Sequence, residues 1–66
     1  MMFVIDAKKF CMACANQCEP VTQAIRRAGC STLVLERIYK GKPVQVATLG
    51  KISKALKCSP ADLLAE

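Results

Sequence analysis

The hydrophobic pattern opens with a short run of β-prone residues and continues at helical spacing. Residues 2–5 form the apolar run, and Asp6 ends it. Aspartate is a good N-terminal cap, and Phe10 and Cys14 follow four residues apart, on one face of a helix. We therefore expect a first helix that ends near residues 16–18. The preceding run has no evident partner strand elsewhere in the sequence.

Apolar stripes separated by helix-ending residues predict two further helices. Pro20 suits the first position of a second helix, because a proline there loses no hydrogen bond. Gly29 ends this helix, since glycine readily adopts the left-handed conformation of a helix C-terminus. Ser31 or Thr32 caps a third helix, which ends at Gly41.

The last third of the chain predicts a fourth and a fifth helix. Apolar positions recur at helical spacing within residues 45–57, with lysines on the opposite side. The stretch from Ser59 to Asp62 has the form of a capping box with a proline in the first turn. The expected fold is all-α, with five short helices in one domain of residues 1–66. The run at residues 2–5 adds at most a short N-terminal strand.

Residues 20–41 have the organisation of a helix-turn-helix core. An apolar helix stripe, Gly29, a short turn and a second short helix follow one another at the required spacing. Leu35 and Ile38 lie three residues apart and are expected to face the core. Cys30, in the turn, is expected to fill the crossing of the two helices.

Several segments of the chain match the motifs of a known family. They are Ala28-Gly29-Cys30-Ser31-Thr32, Leu35-Glu36-Arg37-Ile38 and Lys40-Gly41-Lys42, followed by residues 47–64. In this order and spacing they resemble the Cro and phage-repressor (XRE-like) helix-turn-helix domain, which has the lambda-repressor fold. The later segment is similar to the fourth and fifth helices of that family.

The resemblance implies a non-enzymatic transcriptional regulator that binds duplex DNA. The helix around residues 31–40 would enter the major groove, and a homodimer would bind a pseudo-palindromic operator. No cofactor, small-molecule substrate or membrane partner is implied. The apolar run at residues 2–5 is far shorter than the roughly 20 residues of a membrane-spanning helix. The odd number of cysteines and the absence of a recognisable signal peptide lead us to expect a cytoplasmic protein with reduced thiols.

The outward face of the third helix carries side chains that can contact base edges. Arg37 suits a bidentate contact with guanine, and Glu36 suits the amino group of cytosine. Thr32 or Leu33 suits the methyl group of thymine. The candidate DNA-binding residues are Thr22, Gln23, Ser31, Thr32, Leu33, Glu36, Arg37, Lys40 and Lys42.

The second helix departs from the usual pattern of the family. A large apolar residue followed by alanine is usual four residues before the glycine, whereas here Ala24 precedes Ile25. An alignment shift of one residue would exchange the faces of neighbouring positions. Whether Thr22 or Gln23 faces DNA therefore stays open.

Composition and charge narrow the possible functions. The chain has no histidine, which excludes catalytic relays and metal sites that need one. Its three aromatic residues are too few for a base-stacking platform. Ten Lys and Arg against five Asp and Glu give a net charge of +5, which favours a polyanionic partner.

Five cysteines leave alternatives to DNA binding. The spacing of Cys11, Cys14 and Cys18 suits zinc or an iron–sulfur cluster, with Cys30 or Cys58 as the fourth ligand. The same spacing suits a stripe of small core residues, which we favour because three thiolates on one straight helix cannot easily share a metal. A metal or redox-sensing protein is one alternative, and an antitoxin-like interaction module is another.

Overall fold

Residues 1–65 form four α-helices, two short strands and one 3-10 turn. The computed structural model describes residues 1–65, so residue 66 of the predicted domain lies outside the described range. Within that range, none of the helices is long and apolar enough to cross a membrane. The elements are β1 (Met2–Val4), α1 (Ala7–Asn16), α2 (Val21–Arg27), α3 (Thr32–Tyr39), β2 (Pro43–Gln45), α4 (Val46–Ala55) and a 3-10 turn (Pro60–Leu63).

The helix starts and ends follow the residues that predicted them. The side chain of Asp6 accepts a hydrogen bond from the backbone N–H of Lys9 at 3.0 Å and caps α1. Pro20 is the N-cap of α2 rather than its first residue. Gly29 and Gly41 follow α2 and α3 with φ of 79° and 70°, in the left-handed region. The predicted ends of α1, α2 and α3 are therefore confirmed, whereas α2 starts one residue later than predicted.

The N-terminal strand has a partner within the chain, so the expectation that it has none is wrong. β1 and β2 are antiparallel, with Phe3 opposite Val44. On the other edge of β1, the N–H of Ala65 donates to the carbonyl of Val4 at 3.0 Å. β1 therefore lies between β2 and the C-terminal residues, and both of its edges are paired with this same chain.

The predicted fifth helix is a single 3-10 turn, which corrects the expectation of five helices in an all-α fold. The predicted capping box forms, with the N–H of Ser59 donating to the carboxylate of Asp62 at 3.2 Å. Immediately afterwards Leu64 is extended, with φ −72° and ψ 138°, and pairs with Ile5. Because this pairing draws the chain alongside β1, a longer helix cannot form within the described residues.

One core joins all the helices to the small sheet. Its buried apolar residues are Ile5, Phe10, Cys14, Ala24, Ile25, Leu35, Ile38, Val44, Leu49, Ile52, Leu56 and Leu63. Of the apolar residues that recur at helical spacing in α3 and α4, most are buried and Ala55 is half-buried, whereas Val46 is exposed. Val46 is 54% exposed because it is the first residue of α4, where the chain leaves β2.

Candidate nucleic-acid interface

The turn between α2 and α3 is fixed by backbone hydrogen bonds. The backbone N–H of Cys30 donates to the carbonyl of Ile25 at 3.0 Å. The N–H of Gly29 donates to the carbonyl of Arg26 at 2.9 Å. This is the Schellman arrangement, which requires a left-handed residue at Gly29. The side chain of Cys30 packs against the core as expected. α3 therefore leaves the turn in a defined direction.

The face of α3 opposite the core is exposed. Leu35 and Ile38 are buried on the inner side, whereas Thr32, Leu33 and Glu36 are exposed. Leu33 is 67% exposed on this outward side. The predicted division of α3 into a core face and an outward face is confirmed.

A cleft of about 300 Å³ lies along this outward face. Its lining residues are Leu33, Glu36, Arg37, Lys40 and Lys42. All five were predicted as DNA-binding residues, and the structure brings them together. Three of them carry a positive charge, so the cleft is a cationic surface.

Arg37 is held by the backbone that follows α3. Its Nε and Nη2 atoms both donate to the carbonyl of Pro43, at 3.1 and 2.8 Å. Its own carbonyl accepts from the N–H of Lys42 at 2.9 Å. No pattern of spacing in the sequence signals the contact with Pro43, because it depends on the path of the chain after Gly41.

Glu36 is partly neutralised by its neighbour one turn later. Lys40 Nζ donates to Glu36 Oε1 at 2.6 Å. This hydrogen bond and the nearby charge of Lys40 lower the pKa of the Glu36 carboxyl. The pair leaves Arg37 and Lys42 as the cations of the cleft that no carboxylate contacts among the described residues.

The two predicted residues on α2, Thr22 and Gln23, are both exposed, but among the described residues only the side chain of Gln23 is bonded to a neighbouring side chain. Gln23 Nε2 donates to Glu19 Oε2 at 3.3 Å, whereas Thr22 is exposed. Neither residue lines the cleft on α3. Ser31 is the N-cap of α3, and its side chain makes no capping hydrogen bond.

The starts of three helices lack side-chain caps. Pro20, Ser31 and Gln45 precede α2, α3 and α4, and none of them caps its helix with a side chain. None of these helices has an acidic residue in its first turn. The first N–H groups of a helix carry partial positive charge. This absence of acids preserves the positive potential around α3.

A family model matches residues 21–65, from the first residue of α2 to the last described residue. Its description is the Cro/C1-type HTH DNA-binding domain. The chain belongs to this family. The resemblance seen in the sequence is therefore confirmed over well more than half of the chain. No curated protein and no solved structure matches it.

Membership of the Cro/C1-type family identifies the chain as a DNA-binding domain of a transcriptional regulator. The family is typically non-enzymatic. The matched region contains both helices of the helix-turn-helix, β2 and α4. The residues before the match, which include β1 and α1, complete the core through Ile5, Phe10 and Cys14.

The cysteines of this Cro/C1-type domain are distributed around the core. Cys14 is buried, and Cys11, Cys30 and Cys58 are partly buried against the core. Burial is the main cause that raises the pKa of the Cys14 thiol to about 11. Cys18 is exposed beyond the end of α1, with φ 53°. Within residues 1–65, no three Cys, Asp or Glu side chains are grouped as metal ligands.

Proposed function

We propose that this Cro/C1-type domain recognises a specific duplex DNA sequence by inserting α3 into the major groove, and that it regulates transcription in this way. The observation that carries the proposal is the cationic cleft on the exposed face of α3. Catalysis, a resident cofactor and a membrane partner have no part in it. A location in the cytoplasm remains a prediction.

Base recognition is assigned to the first two turns of α3. In helix-turn-helix proteins the N-terminal residues of the second helix contact base edges. Thr32 and Leu33 are exposed there, and the exposed leucine suits a thymine methyl. Glu36 lies one turn further and suits a cytosine amino group, in competition with its bond to Lys40.

Phosphate contacts are assigned to the residues that flank α3. Lys42 is exposed and lines the cleft, and Lys40 lies beside it. Thr22 and Ser31 offer hydroxyl groups at the starts of α2 and α3. Such contacts fix the position of the domain on the duplex without reading sequence.

Tight binding is proposed to need two copies of the chain. Paired helix-turn-helix domains place their recognition helices about 34 Å apart, one turn of DNA. The longest extent of the chain is 28 Å, so two adjacent copies can present two α3 helices at that separation. The operator would then be pseudo-palindromic.

The test is a selection of duplexes from a random library, followed by affinity measurements at several salt concentrations. We expect a preferred sequence, two chains per duplex, and an affinity that falls steeply with salt. The slope of log affinity against log salt is about −0.9 per phosphate contact. A flat salt response, or no enriched sequence, would contradict the proposal.

Two lysine variants provide a matched comparison. Lys42→Ala should weaken binding to all duplexes alike and reduce the salt slope by about one. Lys8→Ala removes the same charge from α1, in a separate cleft with Met12, Asn16 and Asp62. It should leave the affinity unchanged. Equal losses in the two variants would indicate attraction to net charge alone.

A further inference from the structure

We infer that Arg37 is a positioning residue of the proposed interface, which holds Lys42 and β2 against α3 and does not read a base. The inference rests on the proposed function and assigns a role to one residue of the same surface. From its residue type and its position in the sequence, Arg37 is expected to contact guanine. The inference replaces that role with a positioning role.

The first support is a clamp on both sides of Lys42. The backbone N–H of Lys42 donates to the carbonyl of Arg37 at 2.9 Å. The next residue, Pro43, accepts two hydrogen bonds from the Arg37 guanidinium, at 3.1 and 2.8 Å. The backbone of residue 37 holds the main chain before the Cα atom of Lys42 whatever its side chain, and the Arg37 guanidinium adds the second anchor, at the carbonyl of Pro43. This sets the direction in which the lysine side chain leaves the backbone.

The second support is that two nitrogen atoms of the guanidinium already donate hydrogen bonds within the chain. Nε and Nη2 form one of the two edges through which arginine makes bidentate contacts. In Arg37 this edge faces the carbonyl of Pro43. Reading guanine through it would break both bonds and leave that carbonyl without these two donors, which costs free energy.

The third support is the place of Arg37 between two clefts. It lines the cationic cleft together with Lys40 and Lys42. It also lines a cleft of about 340 Å³ with Val34 and Val44, between α3, β2 and the start of α4. The half-buried Arg37 side chain thus lies between the two clefts, where its two bonds to Pro43 hold β2 beside α3.

The inference is tested with Arg37→Met, which keeps an unbranched apolar side chain and removes every donor. Lys40→Met is the matched control, because it removes one charge from the same helix and has no bond to β2. Affinities are measured for the preferred duplex and for each of its single base-pair variants. The double variant Arg37→Met/Lys42→Met completes a mutant cycle.

Arg37→Met should lower the affinity for every duplex by a similar factor, on the order of tenfold, from the lost charged hydrogen bonds. The order of preference among duplexes should not change. The loss should be smaller when Lys42 is already replaced, because the clamp acts through that residue. A relaxed preference at one base pair, or additive losses in the cycle, would overturn the inference.

A measurement without DNA separates this inference from the proposed function. Amide hydrogen exchange of residues 41–45 should be faster in Arg37→Met than in the wild-type chain and in Lys40→Met. Unchanged exchange would overturn the inference even if DNA binding is confirmed. If the wild-type chain binds no duplex, the proposed function fails and the role in DNA contact fails with it, whatever the exchange shows. If Arg37→Met does not fold, Arg37→Lys provides the same comparison with the charge retained.

Discussion

Arg27 and Glu19 form a two-point ion pair that fixes α2 in the domain. Arg27 Nε donates to one carboxylate oxygen at 2.9 Å, and Nη2 donates to the other at 2.8 Å. The same Nη2 donates to the carbonyl of Ala55, the last residue of α4, at 2.6 Å. One side chain thus ties the end of α2 both to the segment that precedes α2 and to α4.

This pair predicts a pH-dependent stability. The hydrogen bond from Arg27 is the main cause that lowers the pKa of Glu19, against the opposing effect of its shielding from water. A carboxyl with a lowered pKa in the folded state stabilises the fold fully above its ordinary pKa of about 4.3. This contribution is lost as the pH falls through the lower folded value. The melting temperature of Glu19→Gln should lie below that of the wild type at pH 6, and the gap should close towards pH 3.

Glu36→Gln is the control for this titration. Glu36 also has a lowered pKa, from a single hydrogen bond to Lys40 within α3. Both side chains of that pair are more than half exposed, so water and salt weaken it. Thermal melts should show a smaller gap for Glu36→Gln than for Glu19→Gln. Equal gaps would mean that the Arg27 contacts add nothing to an ordinary surface pair.

The same glycine-to-alanine change should have opposite effects at two positions. Gly29→Ala places a side chain on a left-handed residue, and no atom lies within 4 Å of the added Cβ. The backbone conformation alone should therefore cost about 1 kcal/mol of unfolding free energy. Gly50→Ala, inside α4 and also without close neighbours, should stabilise the fold by about 0.5–1 kcal/mol. Denaturant titrations measure both, and a shared sign would contradict the prediction.

The buried side chain of Ile5, directly after β1, is expected to be essential for folding. Ile5 is 1% exposed in the core, and Ile→Ala at such a site costs roughly 2–5 kcal/mol. A chain of this size is stabilised by only about 3–10 kcal/mol in total. Ile5→Ala should therefore be largely unfolded at 37 °C by circular dichroism. Val4→Ala, the neighbouring change at a 36% exposed position, should remain folded.

The thiols should react in an order set by exposure and pKa. Thiolate, rather than thiol, attacks alkylating reagents. Cys18 is exposed, whereas Cys14 is buried with a pKa of about 11. Brief treatment with iodoacetamide at pH 8, read by peptide mass spectrometry, should label Cys18 first and Cys14 last. Labelling of both at one rate in the folded chain would show that the core opens easily; in urea, equal labelling is expected.

The elements that the sequence predicts correctly are specified by neighbouring residues. Asp6 caps α1 through a group three residues away, and Gly29 and Gly41 end their helices by backbone conformation alone. The inner face of α3 follows from the spacing of Leu35 and Ile38. These signals lie within one or two helical turns, so the local sequence is sufficient to predict the elements.

The features that the sequence did not predict depend on distant segments. β2 has three residues, and its partner β1 lies about 40 positions earlier in the chain. Leu64 leaves the 3-10 turn because Ile5 pairs with it, across nearly the whole sequence. Arg37 was expected to face DNA from its helix position, but its contact with Pro43 arises only when β2 is in place. Local periodicity contains no information about such pairings.

The position of β1 between two later segments determines the order in which the domain can fold. α2 and α3 contact each other across a short loop, so these contacts can form early. β1 must wait for β2 and then for the residues around Leu64 before both of its edges are paired. During translation, the first strand therefore remains without its full set of partners until almost the last of the described residues has left the ribosome. β1 is therefore made first but paired last, and the helix-turn-helix gains the support of the completed sheet only after the residues around Leu64 have been made.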